Sequence, residues 1–503
     1  MNEIKLLTVE NVISRKKRLV QQSLSFFILV ESVRYDKDIA VIWAGEDGVW
    51  HSLPASFHSK LDTDKEYWQA QVTSHLTADQ SLPGNIQFSL RYQASSEEYW
   101  DNNNGLNFSS QADSGLQIAP SISILNVGFQ SALNHNQKFI PITVAVDNSL
   151  DAQKIIVHWT TDNWRTTHTA RCYFKRKYWD KELLSNARNP NQYRVQMWKG
   201  WLKIGSAFRV QYSIECEGRN QTVWDNNYGN NYSVCHEPLK VMILNLHCYQ
   251  EDNQDYKLSL IAKAINELNA DIVCFQEVAE HWNNGQGDWD SNSAKIINDR
   301  LDQSYHIYTD WSHLGFDKYR EGVAILSRYP LLKQESGYVS DSHDPFSIHS
   351  RKVVMAQVHV PYFGLINVFS AHLSWWEDGF QAQFKRLHEW ASAKHNWHVK
   401  ATMLCGDFNV TAGSNGYYQV VDRHDCDDQY LAANVVGLPE QNFRLNDPYW
   451  QRYLADDYRI DYIFLTKNSE IRAASAQTLF TEADYGRVSD HCGYFMVFEP
   501  KNT

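Results

Sequence analysis

Met403-Leu404-Cys405-Gly406-Asp407-Phe408-Asn409 runs from an apolar strand directly into a carboxylate and an amide. A charge at the end of a buried strand is costly unless a partner or a metal satisfies it. The same arrangement recurs through the last half of the chain. Asn245 follows Val241-Met242-Ile243-Leu244, Glu277 follows Ile272-Val273-Cys274-Phe275-Gln276, and His372 follows Ile366-Asn367-Val368-Phe369-Ser370-Ala371. Asp461 interrupts Arg459-Ile460-Asp461-Tyr462-Ile463-Phe464, and Asp490-His491 precedes a closing strand at 494–498. Gathered at one sheet edge, these positions would form a pocket of carboxylates, amides and imidazoles. Each one alone also reads as a turn or a helix cap; the ordered set is what carries weight.

Between these strand ends the pattern alternates with helices. Leu258, Ile261, Ile265 and Leu268 mark one helical face, and a second amphipathic helix is expected from Gln381 to about Ala393, with Phe384, Leu387 and Trp390 inward. Buried strands at 241–246, 365–370, 403–405 and 460–465 complete a mixed α/β layering.

The whole chain has 503 residues, long enough for about three units. Its net charge of −12 counts against duplex DNA as a partner, because neutralising phosphates needs a basic excess. Aromatic residues are abundant, with 18 Trp, 27 Tyr and 22 Phe, which suits sandwich cores or sugar-stacking faces. No run approaches the apolar length of a membrane span, and no secretory leader pattern is visible. The eight cysteines include no Cys-x-x-Cys pair, so free thiols and a cytoplasmic setting are expected, with no membrane partner.

The first half repeats itself. Tyr99-Trp100-Asp101-Asn102-Asn103-Asn104-Gly105-Leu106-Asn107-Phe108 returns 124 residues later as Val223-Trp224-Asp225-Asn226-Asn227-Tyr228-Gly229-Asn230-Asn231-Tyr232. Trp43 and Trp50 have counterparts in Trp159 and Trp164. Period-2 segments separated by Asn, Asp and Gly turns predict an all-β sandwich in each copy. The expected organisation is therefore a β-sandwich over 1–115, a second over 116–237 and a catalytic α/β domain over 238–503.

An oxygen-rich site with few histidines suits a hard ion, Mg²⁺ or Mn²⁺, rather than Zn²⁺. Magnesium held by one or two carboxylates keeps room for phosphate oxygens, which matches phosphoester hydrolysis. A zinc-protease reading of His388-Glu389 fails because position 392 is Ser.

Over about residues 238–500 these stations, with Gly322-Val323-Ala324-Ile325-Leu326-Ser327-Arg328-Tyr329-Pro330, resemble the endonuclease/exonuclease/phosphatase superfamily. The resemblance implies a DNase I-like four-layer α/β sandwich behind two immunoglobulin-like β-sandwich modules. It implies Glu277 as the chief metal carboxylate, with Asn245 and Asp490 nearby. Asp407 would activate the attacking water, and Asn409 would orient water and phosphate. His491 would contact the phosphoryl group, held in its tautomer by Asp461, while His372 would donate to developing charge. Arg351 is a further phosphate contact in this picture, although an exposed strand-edge charge is the plainer expectation.

The repeated Trp-Asp-Asn-Asn motif resembles starch-binding modules, which implies sugar contacts from Trp100, Asn102, Asn103, Trp224, Asn226 and Asn227. A packed Trp on a hairpin turn is the competing explanation. The motif is not a calcium loop, because Leu106 and Asn230 stand where that loop needs Gly. Together the two resemblances imply a phosphomonoesterase for a phosphorylated maltose-type sugar (maltose 6'-phosphate and water to maltose and phosphate). They further imply possible α-glucan binding by the N-terminal modules and no nucleic-acid partner. Rival readings are a Mg-dependent nuclease, a sphingomyelinase-like lipid hydrolase and a glucan-binding scaffold without catalysis. The first needs a basic track and the second a membrane-facing apolar hairpin; the third would show losses among the catalytic stations.

Overall fold

The computed structural model describes residues 3–16, 19–31, 37–61, 65–94, 97–128, 130, 132–175, 193–434 and 459–501. The chain divides into two compact units, Met1–His236 and Glu237–Thr503.

The N-terminal unit is all β and contains both copies of the repeat. In the first copy, the order Gly115–Ile118, Ile4–Lys16, Leu19–Glu31, Lys65–His75, Ser56–Lys60 makes a five-stranded sheet. It faces a second sheet built on Lys37–Ala44 and Ile86–Ala94. Alternation explains the packing: Leu24, Phe26, Ile28 and Val30 point into the core beside Phe88, Leu90 and Tyr92. Gly115–Ile118 pairs with the first strand (Asn11 opposite Gly115), so the break expected after 115 falls inside a strand.

In the second copy both layers belong to one eight-stranded sheet. Strand His168–Lys175 joins them, pairing with 155–159 through its first half and with 197–199 through its second. Gly200 permits this crossing, since a Cβ there would lie 2.8 Å from Cys172 Sγ. The repeat extends to packing: Trp43 lies 5.1 Å from its cross-strand partner His51, and Trp159 lies 4.6 Å from its partner His168. The two copies meet where Leu7, Leu29 and Tyr67 pack on Leu125, and Leu116 packs on Ala145, Val195 and Met197.

The C-terminal unit has two six-stranded mixed sheets packed face to face. The first runs His306–Gly315, Tyr319–Ser327, Ile272–His281, Leu239–Asn245, Gly493–Pro500, Ile471–Leu479. The second runs Leu331–Tyr338, Lys352–Val360, Gly364–His372, Val399–Asp407, Asp461–Thr466, Cys426–Asp428. Helix Gln254–Leu268 covers the outside of the first with Leu258, Ile261 and Ile265, as the periodicity predicts. Helix Phe380–Lys394 covers the second with Phe384 and Leu387, Trp390 being half-buried against the same core. This gives four layers, helix–sheet–sheet–helix, in line with the expected DNase I-like arrangement. Across the central seam Gln276 Nε2 donates to Ser370 Oγ (3.1 Å), and Ser370 Oγ donates to the Phe275 carbonyl (3.2 Å). No disulfide links the eight cysteines, and among the described residues no helix is long and apolar enough to cross a membrane.

Candidate active site

The site lies where the central strands of the two C-terminal sheets end side by side. His372 and Asp407 are register partners on neighbouring parallel strands, and Asp407 is the register partner of Asp461 on its other side. Strand pairing therefore delivers three of the candidate residues without any loop. Gly406 makes the approach possible: its φ is +133°, and a Cβ there would sit 2.1 Å from the Ala371 carbonyl oxygen.

Glu277 reaches the same place by a local irregularity. The pairing between 272–281 and 319–327 slips between Phe275 and Val278, and Glu277 takes a left-handed φ of +49°. A bulge of this kind re-aims a side chain at a sheet edge. His247 and Asn409 also have positive φ, 45° and 51°. Such backbone is costly for residues with a Cβ, and its concentration around one cavity is typical of a functional site.

The side chains converge on Asn245. Its Nδ2 donates to Glu277 Oε1 (2.9 Å) and Asp407 Oδ2 (3.1 Å), and lies 3.5 Å from His491 Nε2. His372 Nε2 is 3.9 Å from Glu277 Oε1 and 3.7 Å from Asp407 Oδ2. His491 Nε2 is 3.7 Å from Asp407 Oδ2, while its Nδ1 meets Asp461 Oδ2 at 2.8 Å. The backbone N–H of Asn409 donates to Asp407 Oδ1 (2.8 Å), and the Asn409 amide donates to the Leu373 carbonyl (2.8 Å). Asp490 lines the same cavity and faces His247, 3.6 Å from its Nδ1. All eight catalytic and metal candidates thus lie in one cluster.

Four ionisable residues of the cavity were not among the eight. His247, His313, Glu321 and Arg351 line it together with Phe316, Ile348 and Trp375, around a volume of about 380 Å³. Arg351 is not the exposed strand-edge charge that its sequence context suggested: it is half-buried, with Nη1 3.3 Å from His372 Nδ1 and Nε 3.4 Å from Ser374 Oγ. The spacing Asn245-x-His247 carried a signal, since it puts both residues beyond the same strand tip. His313 and Glu321 carried none. They look like ordinary hairpin charges until their strands are paired, when His313 Nε2 comes within 3.5 Å of Glu321 Oε1.

Burial and neighbouring charge set the protonation pattern. Burial, helped by the negative charge of Asp461, pushes the Asp407 carboxyl up to about 7. Burial opposes charge on His491, but Asp461 and Asp490 outweigh it and hold the imidazole well above its ordinary range. Burial and the Arg351 guanidinium keep His372 well below that range, so it is neutral. Burial, reinforced by Glu277, raises Glu321 to about 8. The cavity therefore offers a carboxyl balanced near neutrality (Asp407) and a second raised above it (Glu321), two imidazolium groups (His491, and His247 raised to about 9), two neutral imidazoles (His372, and His313 lowered to about 4) and one guanidinium. Such a set can align and polarise a phosphoester.

Three groups of candidate metal ligands meet at the site, Glu277 with His372 and Asp407, His247 with Glu251 and Asp490, and Asp407 with Asp461 and His491. Oxygen donors predominate, a set that fits a divalent cation, while the Asn245 amide turns its nitrogen to Glu277 and Asp407 and its oxygen to the His247 N–H.

In the N-terminal unit the two motif tryptophans are exposed, Trp100 at 44% and Trp224 at 50%. The asparagines expected to read sugar hydroxyls each use one amide atom to close the turn. Asn102 and Asn226 accept from the N–H of Gly105 and Gly229 (2.9 and 3.0 Å), and Asn103 and Asn227 donate to the carbonyls of Asn107 and Asn231 (3.1 and 3.0 Å). A tight turn leaves backbone groups that short amide side chains satisfy best. Asn227 is buried besides, accepting from Tyr67 Oη.

Comparison with known proteins follows the same division. Residues 242–491 match the Endonuclease/Exonuclease/phosphatase family, and residues 4–111 and 124–235 match the Carbohydrate/starch-binding module (family 21). The uncharacterized protein YbhP of Escherichia coli (strain K12) is 27% identical over 262 residues, covering 50% of this chain and 92% of YbhP. Among solved structures, an endonuclease/exonuclease/phosphatase family protein from Leptotrichia buccalis C-1013-b is 24% identical with a TM-score of 0.46, covering 52% of this chain and 99% of that protein. The human Nocturnin catalytic domain is 17% identical with a TM-score of 0.40, covering 52% of this chain and 94% of that domain. The C-terminal unit thus matches the Endonuclease/Exonuclease/phosphatase family over residues 242–491, and the region in front of it matches the family 21 starch-binding module.

Proposed function

We propose that this protein is a divalent-metal-dependent phosphomonoesterase acting on a phosphorylated maltose-type sugar, a maltose 6'-phosphate phosphatase. The observation that carries the reading is the pairing of one chain's two parts: a phosphoester-hydrolase cavity of bounded size and a repeated starch-binding region. A volume of about 380 Å³ suits a phosphate with one or two sugar rings. Arg351 is the one Lys or Arg among the described lining residues, which suits a single phosphoryl group better than a polynucleotide track. Phe316, Ile348 and Trp375 offer apolar surface for a sugar ring.

In this mechanism Glu277, with Asn245 and Asp490, would hold Mg²⁺ or Mn²⁺, which when bound supplies charge neutralisation for the phosphoryl oxygens. Asp407 takes the proton of the attacking water, and the Asn409 segment fixes the orientation of that carboxylate. His491, kept cationic by Asp461, holds a phosphoryl oxygen. Neutral His372, 3.7 Å from Asp407, and Arg351 beside it steady the ester oxygen. A cytoplasmic setting would supply such a substrate.

The test is a hydrolysis panel with maltose 6'-phosphate, glucose 6-phosphate, single-stranded and plasmid DNA, and sphingomyelin, with and without Mg²⁺. Phosphate release fastest from the phosphomaltose, with little nicking, is expected. Rapid nicking without sugar dephosphorylation would replace this reading with a nuclease.

A further inference from the structure

Strand His306–Gly315 carries a bulge of its own: its pairing with Tyr319–Ser327 slips between Trp311 and His313. A bulge leaves one residue out of the ladder and re-aims those beside it. Here Ser312, His313 and Leu314 all reach the segment that leads into strand Lys352–Val360. The Lys352 N–H donates to Ser312 Oγ (3.0 Å), His313 Nδ1 meets the Ser350 carbonyl (3.1 Å), and the Leu314 N–H donates to the Pro345 carbonyl (2.6 Å). Arg351 sits inside this clamp. Its own N–H donates to Ser340 Oγ (2.8 Å), and its carbonyl accepts from the Val339 N–H (2.9 Å).

His313 is the buried member of the clamp. A carbonyl can only accept, so Nδ1 carries the ring proton and Nε2 is left facing Glu321 Oε1 at 3.5 Å. Glu321 is also the register partner of His313, so one side of the ring is fixed by strand pairing. The other side holds the peptide immediately before Arg351. A guanidinium grips an anion well only when its planar fork is held at one angle, and that angle begins at the backbone. The far end of the Arg351 side chain is already guided by Ser374 Oγ and His372 Nδ1. His313 supplies the near end. A leucine of similar bulk would fill the same space without giving the Ser350 carbonyl this donor.

We propose that His313 is a positioning residue for Arg351: its Nδ1–H fixes the Ser350–Arg351 peptide so that the guanidinium enters the cavity beside His372 and meets the phosphoryl group at a set angle. His313 acts through Arg351 and takes no part in the bond-breaking step. The proposal rests on the reading of Arg351 as a phosphate contact. It is independent of which sugar, or which other alcohol, carries the phosphate.

Calorimetric titration of the full-length chain with inorganic phosphate in the presence of Mg²⁺ tests this without relying on turnover. His313→Leu should weaken phosphate binding by about tenfold, the loss of a well-aimed guanidinium contact. His313→Asn places an amide N–H where Nδ1 stands and should bind within about twofold of the unaltered protein. In an Arg351→Ala background, His313→Leu should change nothing further, because the residue it positions is gone. A merely structural role would weaken binding in both backgrounds. Should His313→Leu fail to fold, His313→Gln, which moves the donor toward Glu321, carries the same expectation, with the melting temperature recorded for each variant. An unchanged Kd in the donor-less variant, an equal loss in His313→Asn, or the same loss with and without Arg351 would overturn the proposal. Failure of every sugar phosphate in the hydrolysis panel leaves these titrations standing. Phosphate binding that ignores Arg351→Ala would instead overturn both this proposal and the place of Arg351 in the proposed function.

Discussion

His491 Nδ1 and Asp461 Oδ2 meet at 2.8 Å, both buried, on two chain segments thirty residues apart. The carboxylate fixes which ring nitrogen carries a proton toward Asp461 and leaves Nε2 facing Asn245 and Asp407. Removing that charge while keeping the shape isolates its effect. Asp461→Asn is expected to lower kcat by roughly 10²–10⁴-fold. KM should change little, and steady-state kinetics on the best substrate of the panel provide the check.

Burial and the neighbouring Asp461 raise the Asp407 carboxyl to about 7, so it is balanced between its two forms at neutral pH and its charged form opposes folding. Asp407→Asn should therefore leave the melting temperature unchanged or raise it, while activity falls by orders of magnitude. A variant that both melts early and stays active would contradict the role assigned to this carboxyl.

Gly406→Ala tests the strand contact beneath the site. The added Cβ would strike the Ala371 carbonyl at 2.1 Å on a backbone of φ +133°, and neither atom belongs to a flexible side chain. Destabilisation of roughly 3 kcal/mol or more is expected, with loss of activity. Denaturant midpoints measure it.

Chelation by EDTA should abolish hydrolysis, with recovery on adding Mg²⁺ or Mn²⁺. In thermal melts the ion should raise the transition temperature with the logarithm of its free concentration above Kd, because it binds only the folded cluster. Glu277→Gln should demand more ion for the same shift. Full activity in EDTA-treated protein would remove the metal from the mechanism.

Glu10 gives a pH-dependent prediction away from catalysis. Burial raises its carboxyl from an ordinary 4.5 to about 6, so the folded chain takes up this proton more readily than the unfolded chain. That contribution favours folding below about pH 4.5 and is lost as pH rises through about 6. Glu10→Gln should then stabilise the protein by roughly 1 kcal/mol at pH 7.5 and make no difference near pH 4. Equal melting curves at both pH values would show the carboxyl to be solvated.

Much of the catalytic unit was legible before any coordinates. Strands such as 241–245 and 403–407 are buried on both faces, so they read as unbroken apolar runs, and a polar residue at their tip stands out. The internal repeat was legible for a similar reason: its turn demands Asn and Gly at fixed offsets, and Trp43 and Trp159 line matching cores. Arg351 was misjudged, because a residue preceding a strand looks exposed until the facing loops close over it. The motif asparagines show a different limit, since composition alone does not reveal that an amide also closes its own turn.

Local patterning determined where this chain has strands, helices and reactive side chains, because apolar periodicity and turn chemistry act over a few residues and are written into the order of the amino acids. Tertiary structure alone decided which of those side chains share a cavity. Glu277 depends on a bulge, and His313 and Glu321 on the pairing of two strands. These are long-range juxtapositions whose energy comes from desolvation and shape, and neither belongs to any short segment of sequence.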